Sequence, residues 1–128
     1  MTKEELILRN KKFAIAVLST IDGLPSNRIY DALTRQLVRS STSVGANYRA
    51  ACRAKSTADF VNKLKIVEEE ADESSYFLDL LCEIDKGKNK EILNGLLKES
   101  NELVSIYVAS LKTMRKKIKT SKIVNQKS

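Results

Sequence analysis

The stretch Thr20-Ile21-Asp22-Gly23-Leu24-Pro25-Ser26 places Gly23, one of four glycines, beside Pro25, the chain's one proline. Glycine and proline are the strongest punctuators of local structure, so one helix is expected to end and another to begin at this break. Upstream, Thr2 and Glu5 have the spacing of a capping box. Residues 2–21 therefore read as a helix, with Asp22-Gly23 offering a left-handed exit and Pro25 barring continuation. Ser26 is expected to cap a second helix over 26–54. Ser56 and Asp59 repeat the capping spacing and open a third, 56–85, which ends before Gly87. Asn89 opens a fourth, 89–120, leaving a polar tail, 121–128, that ends in Asn125-Gln126-Lys127-Ser128. Short links force antiparallel neighbours, so the expected fold is all-α: one domain, residues 1–128, built as an up-down-up-down four-helix bundle.

Composition agrees with that reading. The 128 residues are 42% hydrophobic and 30% charged, which is neither a disordered nor a membrane-spanning balance. Met1-Thr2-Lys3-Glu4-Glu5 lacks the pattern of a secretory signal or transit peptide, so a cytoplasmic location is expected, with no membrane partner. Cys52 and Cys82 read as small buried hydrophobes and not as a disulfide.

Helical phasing assigns the faces. Helix two has a narrow apolar stripe of Ile29, Leu33, Leu37, Val44, Tyr48 and Ala51. Helix four has two neighbouring stripes, Ile92, Leu96, Leu103, Ile106 and Tyr107 beside Leu93, Leu97, Val104, Val108 and Leu111. Together they cover about 200°, roughly twice what a lone bundle needs. Helix three adds Ile66, Phe77, Leu80 and Ile84 on the side away from its main stripe of Phe60, Leu64, Val67, Ala71, Leu78 and Cys82, and Leu8, Ile15 and Leu18 widen helix one. Wide apolar faces mark association. A homo-oligomer is expected, with Ile66, Phe77, Leu80, Ile84, Leu93, Leu97, Val104 and Val108 as its interface. The segment Ser40 to Asn47, rich in small residues, implies a close helix approach, with Asn47 hydrogen-bonded inside.

The net charge of +7, from 23 Lys and Arg against 16 Asp and Glu, is segregated. Residues 26–55 hold six cations and one acid, residues 56–86 three and nine, and residues 87–128 ten and three. Arg28, Arg35, Arg39, Arg49 and Arg53 form a lysine-free ribbon along helix two, about 37 Å long at the helical rise. Arginine suits two-pronged recognition of phosphate or carboxylate. The ribbon's partner is either a nucleic-acid backbone or the acidic face of Glu69, Asp72, Asp79 and Glu83 on helix three, in the same subunit or its neighbour. The run Lys112, Arg115, Lys116, Lys117, Lys119 and Lys122 repels itself and gains from meeting an anion. With Arg49, Arg53 and Lys55 it forms the candidate nucleic-acid surface.

Chemistry is sparse. No histidine is present, so the commonest general base and metal ligand is missing. The glycines do not form a phosphate loop, and the acidic run Glu68-Glu69-Glu70 with Asp72-Glu73 lacks the histidines of di-metal bundles. No enzyme activity, cofactor or metal is expected. Without an exposed aromatic row, binding should be to backbone and shape, without sequence preference.

Gln36 to Arg49, QLVRSSTSVGANYR, followed by Ser56-Thr57-Ala58-Asp59-Phe60 and Glu69-Glu70-Ala71-Asp72-Glu73-Ser74, resembles the bacterial four-helix bundle proteins encoded in intervening sequences of 23S ribosomal RNA genes. The resemblance implies an antiparallel bundle assembling as a barrel-like homopentamer. It also implies a distant relationship to the accessory variability protein of diversity-generating retroelements, which binds nucleic acid and a reverse transcriptase. The polar motif positions it carries over are Gln36, Arg39, Ser40, Ser43, Asn47 and Arg49 on helix two, with Glu69, Asp72 and Glu73 on helix three. Ala50 stands where such proteins commonly carry glutamate. Two functions are therefore expected in competition: nucleic-acid binding, and an oligomeric adaptor that docks a protein partner while its arginines pair with carboxylates.

Overall fold

The structure is a computed structural model and describes the backbone of residues 1–127 and the side chains of residues 1–125. It contains four helices, α1 (Lys3–Asp22), α2 (Arg28–Cys52), α3 (Thr57–Ile84) and α4 (Lys90–Lys127), and no strand among the described residues. The helices α1, α2 and α3 start where side-chain oxygens satisfy free amides. Thr2 and Glu5 form the expected capping box, and the Ser56 hydroxyl accepts from the Asp59 amide at 3.1 Å.

Three boundary expectations are corrected. Asn27, not Ser26, caps α2: its Oδ1 accepts from the Ile29 and Tyr30 amides at 3.1 and 3.0 Å, while the Ser26 hydroxyl donates to Asp31. Gly23 is right-handed, φ −95°, and α1 ends by tightening, with the Gly23 amide on the Thr20 carbonyl and the Leu24 amide on Ile21. The left-handed glycine is Gly87, φ +106°, in the α3–α4 turn, where the Asp85 carboxylate accepts from the Gly87 and Asn89 amides. The expected tail at 121–128 is helical as far as Lys127; the side chains of Gln126 and Lys127, and all of Ser128, lie outside the described residues.

The helices pack in a ring, α2 on α3, α3 on α4, α1 on α2 and, more loosely, α1 on α4, and the rings of Tyr48 on α2 and Tyr107 on α4 meet across one diagonal. Buried serines mark the tightest seams. Ser74 Oγ donates to Ser40 Oγ at 2.9 Å between α3 and α2, and the Ser75 and Ser100 hydroxyls lie 2.6 Å apart between α3 and α4. At Gly45, a Cβ would lie 3.4 Å from the Asn10 Cβ, so α1 and α2 meet where the small residues of α2 cluster. Asn47 is half-buried and donates to the Ser43 carbonyl of its own helix. Both cysteines are free thiols; Cys82 is buried, and burial pushes its pKa up, whereas Cys52 is only half-buried.

The core line of α4 draws on both expected stripes: Leu93, Leu96, Leu103, Tyr107 and Leu111 are all buried. Leu93, assigned above to an oligomer interface, has 0% exposure and belongs to the core of the single chain. Ile29 and Ile92 were expected inside, yet are 63% and 52% exposed, because each lies in a first helical turn on a side no neighbour covers. Of the remaining interface candidates, Ile66 and Ile84 are exposed, while Phe77, Leu80, Leu97, Val104 and Val108 are half-buried. Leu8, Ile15 and Leu18 are exposed along α1.

Candidate nucleic-acid interface

Antiparallel packing collects the start of α1, the end of α2, the start of α3 and the end of α4 at one end of the bundle. The α3–α4 seam shows this register: Thr57 and Ala58 line one groove with Met114, Ile118 and Lys122, while Ser75 meets Ser100 further along. Charge that is segregated by helix in sequence thus becomes polarised along the molecule. The half comprising residues 1–12, 40–70 and 106–125 holds fifteen Lys and Arg against six Asp and Glu. The half comprising residues 13–39 and 71–105 holds seven against ten. The first is therefore at +9 and the second at −3.

All nine candidate cations lie in the basic half and are exposed: Arg49, Arg53 and Lys55 at the end of α2 and its loop, and Lys112, Arg115, Lys116, Lys117, Lys119 and Lys122 on α4. None of their side chains forms an ion pair or hydrogen bond with another described residue; only the Lys55 backbone amide is engaged, by Asp59. Asp59 in turn accepts from Lys63 Nζ at 2.7 Å, and that bond, together with the Lys55 amide, outweighs its desolvation and holds its pKa below the usual carboxylate value.

Two other cations, Arg9 and Arg39, bridge helices. Arg39 spans from α2 to α3, with Nη2 2.6 Å from Glu73 and Nη1 3.4 Å from Glu70. Arg9 spans from α1 to α4 with Nη2 2.6 Å from Glu99 and 2.8 Å from Glu102. The sequence reading singled out Arg39 but missed Arg9, whose position three after Leu6 on α1 would have placed it at the edge of the core stripe. Of the family-motif positions, Ser40 is buried against Ser74, Arg39 and Glu73 pair with each other, and Gln36 accepts weakly from Arg39 Nε at 3.5 Å. Ser43 and Asn47 are joined within α2, whereas Glu69 and Asp72 are exposed and make no side-chain hydrogen bond or ion pair among the described residues. The motif is thus mainly the α2–α3 seam.

Among the described residues no group of three or more Cys, Asp or Glu is placed to hold a metal ion, and no helix is long and apolar enough to cross a membrane. Tyr76, 59% exposed on the acidic half of α3, is the one aromatic side chain that projects strongly into solvent.

A family model described as 23S rRNA-intervening sequence protein matches residues 4–109. Among solved structures, a protein of unknown function from the S23 ribosomal protein family of Bacteroides thetaiotaomicron VPI-5482 is similar at 30% identity and a TM-score of 0.77. The similarity covers 88% of this chain and 99% of that one. No curated protein matches.

Proposed function

The chain belongs to the 23S rRNA-intervening sequence protein family, and from that premise we propose that it is a non-catalytic, self-assembling cytoplasmic bundle that binds nucleic acid, RNA or DNA, by backbone contacts at its basic end. The observation that carries this reading is the +9 half, in which the cations at the ends of α2 and α4 lack partners among the described residues. A polyanion supplies the counter-charge and gains entropy by releasing its condensed counterions. The solitary exposed tyrosine on the acidic half argues against base stacking as the binding mode.

The self-assembled form proposed is the homopentameric barrel that the family resemblance implies, with the exposed and half-buried residues Ile66, Phe77, Leu80, Ile84, Leu97, Val104 and Val108 as its interface. Repetition of a weak basic patch by symmetry raises avidity without new contacts. The adaptor reading required Arg35, Arg39, Arg49 and Arg53 all to engage carboxylates. Of these, only Arg39 does so among the described residues, which weighs in favour of nucleic acid.

Titration of a generic duplex and of a structured RNA across a salt series tests the proposal. Affinity is expected to fall steeply as salt rises, and binding that is absent or indifferent to salt sinks it. Replacing Lys116, Lys117 and Lys119 by Glu should weaken binding by about tenfold or more while leaving assembly intact.

A further inference from the structure

Two rows of opposite charge run along the outer faces of neighbouring helices. On α2 the exposed row is Arg28, Arg35, Arg39, Arg49 and Arg53. On α3 Glu69, Asp72, Tyr76, Asp79 and Glu83 follow one another at alternating steps of three and four, which is one stripe of a helix, and all five are exposed. Within the chain the rows hardly meet. Arg39 turns inward to Glu70 and Glu73, but Arg28, Arg35, Arg49 and Arg53, and all four acids of the stripe, have no ion-pair partner among the described residues.

We infer that the first part of the arginine row of α2, Arg28 and Arg35, and the acidic row of α3 are the two halves of one interface between copies of this chain, α2 of one copy seating on α3 of the next, while Arg49 and Arg53 stay with the basic end. This rests on the self-association proposed above and adds α2 as the face that meets the α3 side of that interface. The occupant follows from the pairing of the rows. Packed helices lie about 8–10 Å apart, which is close to the screening length at physiological salt. A nucleic acid laid along Arg28 and Arg35 would therefore feel the neighbouring carboxylates and be repelled by them, whereas a second copy offers acid to these arginines and arginine to the acids. Exposed apolar residues flank the rows, Ile29 on α2 and Ile66 and Ile84 on α3, and supply surface to bury. Exposed pairs are individually worth little, so the rows set the register and the choice of partner while the apolar flanks contribute most of the affinity.

Charge reversal tests this in the full chain, away from the basic end. One variant carries Arg28→Glu with Arg35→Glu, the other Asp79→Lys with Glu83→Lys. Wild type is expected to self-associate in light scattering and sedimentation, and to dissociate as salt is raised. Each variant alone, with unchanged far-ultraviolet circular dichroism, should associate about tenfold more weakly or worse. An equimolar mixture should regain the wild-type mass, because each reversed face then meets its complement. Wild type that self-associates, with variants that do the same or a mixture that stays dissociated, overturns this assignment of faces alone. A monomeric wild type overturns the self-association reading and this inference with it.

Discussion

Tyr107, fully buried on α4, donates its hydroxyl proton to Asn10 Oδ1 on α1, and its ring lies 5.8 Å from that of Tyr48 on α2. Burial drives the Tyr107 pKa far up and that of Tyr48 up to about 12, so both stay neutral hydroxyls across the physiological range. Asn10 Nδ2 is buried without a partner, so Tyr107 supplies the side-chain hydrogen bond that Asn10 makes to another helix. Tyr107→Phe would leave the whole amide unsatisfied, and should cost about 1–3 kcal/mol in urea unfolding, with the midpoint falling and the slope unchanged. A second residue-scale expectation concerns acid. The Arg9 hydrogen bond holds the Glu99 pKa below its ordinary value despite desolvation, and the Gly87 and Asn89 amides outweigh desolvation to do the same for Asp85. Carboxylates with depressed folded pKa values add stability that is full above the unfolded pKa, about 4, and is lost as pH falls through the lower folded value. The melting temperature should therefore be flat near neutrality and drop below about pH 4, with Arg9→Gln flattening that drop. Neither Asn10 nor Arg9 was legible in the sequence. Their partners lie 97 and 90 residues away, and helical phasing tells which way a side chain faces but not what stands opposite.

At the scale of elements, α2 shows what a local pattern discloses. The small-residue run from Ser40 to Asn47 signalled a close approach, and Gly45 against Asn10 together with Ser40 against Ser74 is that approach. An alanine Cβ at position 45 would sit at ordinary contact distance, and alanine favours a helix interior over glycine by about 1 kcal/mol, so Gly45→Ala should leave stability unchanged or raise it. Gly45→Val pushes further atoms toward Asn10 and should lower stability by about 1–3 kcal/mol in the same unfolding measurement. Helix number and order were readable because caps and breakers are encoded within a few residues. The choice between Ser26 and Asn27 was not, since both are good caps and the decision lies in which residue adopts the extended backbone; Asn27 does, at φ −154°, ψ 178°. The two apolar stripes of α4 were also real, but the neighbours bury a line that drifts between them, taking Leu96 and Tyr107 from one and Leu93 and Leu111 from the other.

For the whole molecule, the sequence showed basic segments on either side of an acidic one, and only antiparallel folding turns that pattern into one basic and one acidic end. The candidate cations were legible as a run without carboxylates; their lack of partners among the described residues was not, because it depends on which acids the fold brings beside them. The polarity also fixes the valence of any assembly. In a ring whose axis runs along the helices, as the proposed pentamer requires, all basic ends point the same way and the assembly holds nucleic acid on one side only. Two copies related by a two-fold axis across the helices would point them apart and tether two molecules. A biotinylated duplex saturated with protein should therefore fail to capture a second, fluorescent duplex. Capture would mean that the copies stand antiparallel, with their basic ends pointing apart, turning the protein from a one-sided cap into a cross-linker.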